Sequence, residues 1–254
     1  MEIKPLELKE NRDLDFWFLN TTYLNEKQQS QFHEYFKLIV EKNKVMNLTG
    51  IDTLQGVYLK HFYDSLTLYE LLNVDEIESI ADVGSGAGFP GIILAIAFPN
   101  KKITLIEPMT KRCNFLKEVT EYIKLENVEI CNKRAEDINT KYDVVVSRAV
   151  AKLNILLELA IPITKKEGLF IAMKGQNYQE EVATAKSSLL KLDAKIMKVH
   201  TCILPVENSD RANIIIQKKK ETNKLYPRNY SLIKKNPLWQ LGEIWISICL
   251  QYLN

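Results

Sequence analysis

The chain has 254 residues, 46% of them hydrophobic and 26% charged, with 34 basic against 32 acidic side chains and a formal net charge of +2. That composition excludes a wholly disordered or low-complexity polymer, and the length allows one sizeable core with room for a subdomain. So even a charge balance means that any nucleic-acid surface is a local patch rather than a property of the whole molecule.

Residues 1–25 mix Lys, Glu, Asp and Asn with apolar positions and hold no apolar stretch of signal-peptide type, so they are expected to be an N-terminal extension. From Glu26 to Asn43, Phe32, Tyr35, Phe36, Ile39 and Val40 recur at helical spacing and predict an amphipathic helix, which Asn47-Leu48-Thr49-Gly50 ends in a turn. A second helix, about Leu54 to Leu72, carries His61-Phe62-Tyr63-Asp64-Ser65-Leu66. The two read as a helical cap over residues 26–75, of the kind that shapes access to a site; His61 and Asp64 read as packing and capping groups.

The stretch from Ser79 to Met109 organises the rest. A short apolar strand, Ser79-Ile80-Ala81-Asp82-Val83, meets a glycine turn, Gly84-Ser85-Gly86-Ala87-Gly88-Phe89-Pro90-Gly91; an apolar helix runs to Phe98, and a second strand, Lys102 to Ile106, ends in Glu107-Pro108-Met109. This is the opening unit of a doubly wound sheet that binds an adenosine-bearing ligand. Glycine at 84, 86 and 88 lets the backbone turn and approach a ligand closely, since no Cβ intervenes. The dinucleotide pattern G-x-G-x-x-G needs glycine at 89, where Phe89 stands; G-x-G-x-G preceded by Asp82 suits S-adenosylmethionine better than a pyrophosphate. Glu107, about 20 residues beyond the turn, is placed to accept hydrogen bonds from both hydroxyls of an unmodified ribose.

Beyond it, Lys111 to Lys124 reads as a helix, Val128 to Cys131 as a third strand, Tyr142 to Ala149 as a fourth buried on both faces, Leu153 to Ala160 as a helix, Gly168 to Gly175 as a fifth strand and Gln179 to Leu190 as a helix. Two more strands, near Ile196 to Leu204 and Asn213 to Gln217, complete the sheet, so one α/β domain over residues 76–218 is expected. From Arg211 to Lys235 the basic residues Arg211, Lys218, Lys219, Lys220, Lys224, Arg228, Lys234 and Lys235 face one acid, Glu221, with Tyr226 and Tyr230 interleaved. This basic tail over 219–254 reads either as a surface following RNA phosphates and stacking on bases or as a solvated charged face. Leu238, Leu241, Trp245, Ile248 and Tyr252 would form an apolar helical stripe, too short and too interrupted for a membrane span. The cysteines at 113, 131, 202 and 249 are scattered, with no C-x-x-C and no zinc-type histidine pairing, so a reduced, metal-free, cytoplasmic protein is expected.

Taken jointly, Asn47-Leu48-Thr49, His61-x-x-Asp64-Ser65-Leu66, the turn Gly84 to Gly91, Lys111-Arg112-x-x-Phe115-Leu116, Arg134-Ala135-Glu136, Val146-Ser147-Arg148-Ala149 and Tyr226-Pro227-Arg228 resemble the RsmG family, also called GidB, from about residue 26 to Leu238. The resemblance implies a Rossmann-like class I fold with a mostly parallel seven-stranded sheet and an N-terminal helical cap. It implies S-adenosylmethionine as cofactor and methylation of N7 of a guanine, position 527, in 16S ribosomal RNA of the small subunit or its precursor. The protein is expected to act as a monomer without a membrane. Carried over by position, Gly84, Gly86, Gly88 and Phe89 line the cofactor site, Glu107, Pro108 and Met109 hold ribose and adenine, and Ala135 and Glu136 face the adenine edge. Arg148 is expected near both the methionine moiety and the incoming base, as cofactor ligand and catalytic residue, with a surface ion pair as its plainer alternative.

Guanine N7 offers a lone pair and no proton, so its methylation needs alignment and electrostatics rather than a general base. The Asn/Asp-Pro-Pro-aromatic loop of exocyclic-amine methylation is replaced by Ser147-Arg148-Ala149-Val150, and no cysteine sits where pyrimidine C5 chemistry requires one. A small-molecule methyltransferase and a non-catalytic RNA-binding or cofactor-sensing protein remain as alternatives; a nicotinamide oxidoreductase is more distant, because Phe89 takes the third glycine's place.

Overall fold

The computed structural model describes residues 24–238. The N-terminal extension, apart from its last two residues, and the apolar stripe beyond Leu238 lie outside them.

Seven strands form one sheet in the order β3-β2-β1-β4-β5-β7-β6. They are β1 (Ser79–Val83), β2 (Lys102–Ile106), β3 (Val128–Cys131), β4 (Tyr142–Arg148), β5 (Thr164–Lys174), β6 (Ala194–Leu204) and β7 (Ser209–Lys218). β1 to β5 are parallel, whereas β7 runs antiparallel between β5 and β6. The order reverses between β1 and β4, which opens a crevice at the carboxyl ends of those two strands. β5 begins at Thr164, four residues before the expected Gly168, and the helix expected from Gln179 to Leu190 divides at Ala185 into Tyr178–Thr184 and Lys186–Lys191.

The helix after the glycine turn, Gly91–Ala97, is buried at every residue, as its unbroken apolar sequence requires. It lies between the sheet and the cap. The cap's first helix, α1 (Glu26–Met46), starts at a capping box formed by Asn25 and Gln28 and ends at Asn47 in the left-handed conformation. Its inward face buries Phe32, Tyr35 and Ile39, and Tyr35 stacks on Phe62 at 5.6 Å between ring centroids. Two polar ties fix it to the cofactor end: the Gln28 amide donates to Ile96 O at 2.7 Å and the Tyr35 hydroxyl donates to Ala87 O in the glycine turn.

The second cap helix differs from the single α-helix expected. Leu54–Val57 and Asp64–Leu66 are α-helical, but Tyr58–Tyr63 between them is wound as a π-helix. The Asp64 N–H bonds to Leu59 O, five residues back, rather than to Lys60 O. The Lys60 carbonyl instead accepts from Arg148 Nη1 at 2.9 Å. A side chain arriving from β4 has taken the acceptor that the α-helical ladder would use, which is why a 3.6-residue period could not announce the bulge.

Candidate cofactor cleft and basic groove

Glycine is needed at three places in the turn. Gly84, Gly86 and Gly88 have φ of +75, +57 and +104°. A Cβ on Gly84 would lie 2.4 Å from Val150 Cγ2 and one on Gly88 2.5 Å from the Tyr35 hydroxyl, whereas one on Gly86 would meet nothing nearer than Gly84 O at 3.8 Å. The first and third glycines therefore seat the turn against β4's exit and the cap; the second leaves open space.

Glu107 ends β2 and is only 2% exposed. Its Oε2 accepts from Gly86 N at 3.0 Å and its Oε1 from Met109 N at 2.9 Å, so one carboxylate locks both loops that border the cleft. Asp82, fully buried, accepts from Gly91 N at 3.0 Å through Oδ2. Burial pushes its pKa up to about 7, against the opposing bonds from Gly91 and Ser85 and the nearby Arg148 cation.

Two depressions open at the carboxyl edge. The first, a cleft of about 280 Å³, is lined by Val83, Gly84, Ile106, Glu107, Pro108, Met109, Arg112, Arg134, Ala135, Glu136, Ala149, Val150, Leu159 and Tyr230. Its lining mixes apolar side chains with the carboxylates Glu107 and Glu136 and the cations Arg112 and Arg134; Glu136 Oε1 is buried without a hydrogen-bond partner among the described residues. A ligand presenting a ribose diol and a purine amine can donate to those two carboxylates. The second is a groove of about 670 Å³, lined by five cations, Lys60, Arg148, Lys152, Lys174 and Arg211, and by two carboxylates, Asp64 and Glu181. Ala149 and Val150 border both depressions.

Of the residues expected to hold a cofactor, Gly84, Glu107, Pro108, Met109, Ala135 and Glu136 line the cleft. Gly86, Gly88 and Phe89 do not: Phe89 is buried beneath the groove, where its ring stacks on His61 at 4.4 Å and lies 5.1 Å below the Arg148 guanidinium. Arg148 lines the groove alone, and it is partly buried rather than a surface ion-pair residue. Its Nη1 donates to Lys60 O and to Asp64 Oδ2 at 2.9 Å each, and its Nη2 lies 3.1 Å from His61 Nδ1. Nδ1 also lies 3.1 Å from the Lys60 carbonyl and Nε2 lies 2.8 Å from Thr49 Oγ1, so the ring is held through both nitrogens among Arg148, Lys60 O and Thr49. Burial first, and the Arg148 cation second, hold His61 down at about 3. Asp64 also takes Arg211, at 3.4 Å. His61 and Asp64, read from sequence as packing and capping groups, are thus the clamp that fixes Arg148.

The basic tail divides. Lys218 is wholly buried and donates to Thr164 O at 2.8 Å, Lys219 pairs with Glu167 and Lys220 with Asp193. Lys218 is therefore out of reach of a phosphate, while Lys219 and the exposed Lys220 lie at the end of β7 away from the groove. Arg228 is held by Glu158. Only Arg211 and Tyr230 of that segment reach the two depressions. The reason is strand direction: antiparallel β7 pairs Ala212 with Lys174 at the carboxyl edge and Lys218 with Ala194 at the other end. Among the described residues no group of three or more His, Cys, Asp or Glu is placed to hold a metal, and no helix is long and apolar enough to cross a membrane.

A 3-2-1-4-5-7-6 sheet with antiparallel β7, a glycine turn after β1 and a carboxylate closing β2 define a class I, Rossmann-like S-adenosylmethionine-dependent methyltransferase. Residues 28–210 match the family model described as GidB, rRNA small subunit methyltransferase G, and the chain belongs to that family. It is 40% identical over 221 residues to Ribosomal RNA small subunit methyltransferase G of Bacillus subtilis (strain 168), covering 85% of this chain and 92% of that protein. To its namesake in Oceanobacillus iheyensis it is 42% identical over 221 residues, covering 85% and 93%. Among solved structures, M. jannaschii TYW2 in complex with AdoMet superposes with a TM-score of 0.51 at 20% identity, over 66% of this chain and 77% of that one, which shows the common fold.

Sequence reasoning missed the Thr49, His61, Asp64 and Arg211 arrangement around Arg148, because its members come from the cap, β4 and β7. Arg134 and Tyr230 were also not expected to line the cofactor cleft.

Proposed function

We propose that this protein transfers a methyl group from S-adenosylmethionine to N7 of a guanine in 16S ribosomal RNA, the position matching 527. The observation that carries the reading is the adjacency of the two depressions: an acceptor-lined cleft for an adenosine-bearing donor shares Ala149 and Val150 with a cationic groove for a polyanion. Glu107 and Glu136 would hold the ribose and purine ends of the cofactor; when bound, it supplies an electrophilic methyl on a sulfonium.

The chain's own residues need remove no proton, because guanine N7 attacks with a lone pair. What they supply is alignment. Lys60, Lys152, Lys174 and Arg211 give the groove a positive potential for a phosphate backbone, with Lys60, Lys174 and Arg211 each paired to a carboxylate, Glu207, Glu181 and Asp64. Arg148, clamped by Lys60 O, Asp64 and neutral His61, presents a fixed cation that needs no reorganisation when RNA arrives. The groove's acid–base side chains are all engaged: Asp64 and Glu181 are ion-paired and His61 lies against Arg148, Lys60 O and Thr49.

The test is mass spectrometry of 16S RNA from a strain lacking the protein, with and without the purified enzyme and labelled cofactor. Appearance of labelled 7-methylguanosine at that position is expected; label in small metabolites but not in RNA would replace the reading with the small-molecule alternative.

A further inference from the structure

The chain leaves the sheet at Lys218, at the end opposite the cofactor cleft, yet Tyr230 lines that cleft. Residues 219–229 must therefore return along the sheet, about 33 Å for the ten residues of β7 alone, just within the roughly 36–40 Å that 11 extended residues reach. What ends the crossing is a clasp. Arg228 Nε and Nη2 each lie 2.6 Å from a different oxygen of Glu158, and the Arg228 N–H adds a third bond at 3.0 Å. Glu158 is 0% exposed, on the helix Leu153–Ala160. Two residues later Tyr230 opens a short helix, Tyr230–Lys235, whose Ile233 is fully buried against the same core.

We propose that this strap completes the cofactor site, and that Tyr230 is a cofactor-binding residue whose ring forms the wall against which the purine packs. The proposal rests on the reading that the cleft holds S-adenosylmethionine. Tyr230 shares the cleft with Ala135, Glu136 and Leu159, the end at which the partnerless Glu136 Oε1 awaits an amine donor. The Arg134 guanidinium, which also lines the cleft, lies 5.7 Å from the Tyr230 ring centroid. Arg228 and Glu158 touch no ligand. They are positioning residues, and a buried bidentate pair suits that work because it fixes direction as well as distance.

The experiment is calorimetric titration of the full chain with S-adenosylhomocysteine, and separately with adenosine. Tyr230→Ala should weaken both by about tenfold, the range of a lost base-on-aromatic stack, while Tyr230→Phe stays within about twofold. Arg228→Lys, which keeps the charge and loses the fork, should weaken binding in the wild-type background and add nothing in the Tyr230→Ala background. Tyr230→Ala binding as tightly as wild type while Gly86→Asp binds nothing would overturn the strap assignment and leave the cofactor reading intact. No binding by the wild-type chain would overturn the cofactor reading, and the strap with it. Additive effects of Arg228→Lys and Tyr230→Ala would overturn the positioning role.

Discussion

His61 should give this protein a measurable acid sensitivity. It lies 3.1 Å from Arg148 Nη2 and packs on Phe89, and burial with the neighbouring cation sets its pKa at about 3 against an ordinary value of 6.5. The charged groups facing it are Lys60 and Asp64 on its own helix and Arg148 from β4. The folded pKa lies below the unfolded one, so the unfolded chain binds more protons in acid. The stability that His61 contributes is complete above about pH 6.5 and is lost as pH falls toward 3. From pH 7 to pH 5 the folded state stays unprotonated while the unfolded state gains nearly one proton, a loss of about 2 kcal/mol. Asp82 acts in the opposite sense. Its folded pKa of about 7 stands above the unfolded 3.8, so its contribution is present in acid and lost as pH rises through about 7, again about 2 kcal/mol over the same window. Wild-type stability alone would conceal both. Urea unfolding of wild type and His61→Asn at pH 5 and pH 7 separates them, since Asp82 is common to the pair. The stability advantage of wild type over His61→Asn should shrink by about 2 kcal/mol at pH 5. An advantage that does not change with pH would refute the buried, neutral, Arg148-facing histidine.

Gly88→Ala places a Cβ 2.5 Å from the Tyr35 hydroxyl and 2.6 Å from Ile92 Cγ1 at a φ of +104°, so it should cost about 2 kcal/mol or more and lower the melting temperature. Gly86→Asp has open space at its Cβ and a left-handed φ that aspartate tolerates; calorimetry should find cofactor binding abolished in a protein that melts near the wild-type temperature. Replacing Lys219 and Lys220 with glutamine should leave both the affinity for 16S RNA fragments and its salt dependence unchanged, whereas Arg211→Gln should weaken binding and flatten the salt slope by about one ion. Arg148→Lys keeps the charge but cannot serve Lys60 O, Asp64 and His61 together; single-turnover methyl transfer should fall at least tenfold while S-adenosylhomocysteine affinity stays within about twofold.

The strand, glycine turn, helix and carboxylate from Ser79 to Glu107 were readable in sequence because each is a local device. A short apolar run buried on both faces, the φ demanded of glycine and an acid about 20 residues on all lie within one βαβ unit. The same holds for the apolar face of α1 and the seven strands, whereas the cleft residues Ala135 and Glu136 were placed by the family resemblance. The π-wound turn at Tyr58–Tyr63 was decided by Arg148, a donor from more than eighty residues away, taking the Lys60 carbonyl. The basic tail shows the division most plainly. Composition displayed its charges, but the antiparallel insertion of β7 carried Arg211 to the site edge and Lys218 to the far end, where burial against Thr164 took it out of reach of any phosphate. Charge is a property of the residue, and sequence reports it; which partner each charge faces is a property of strand direction and packing, and only the tertiary structure supplies that.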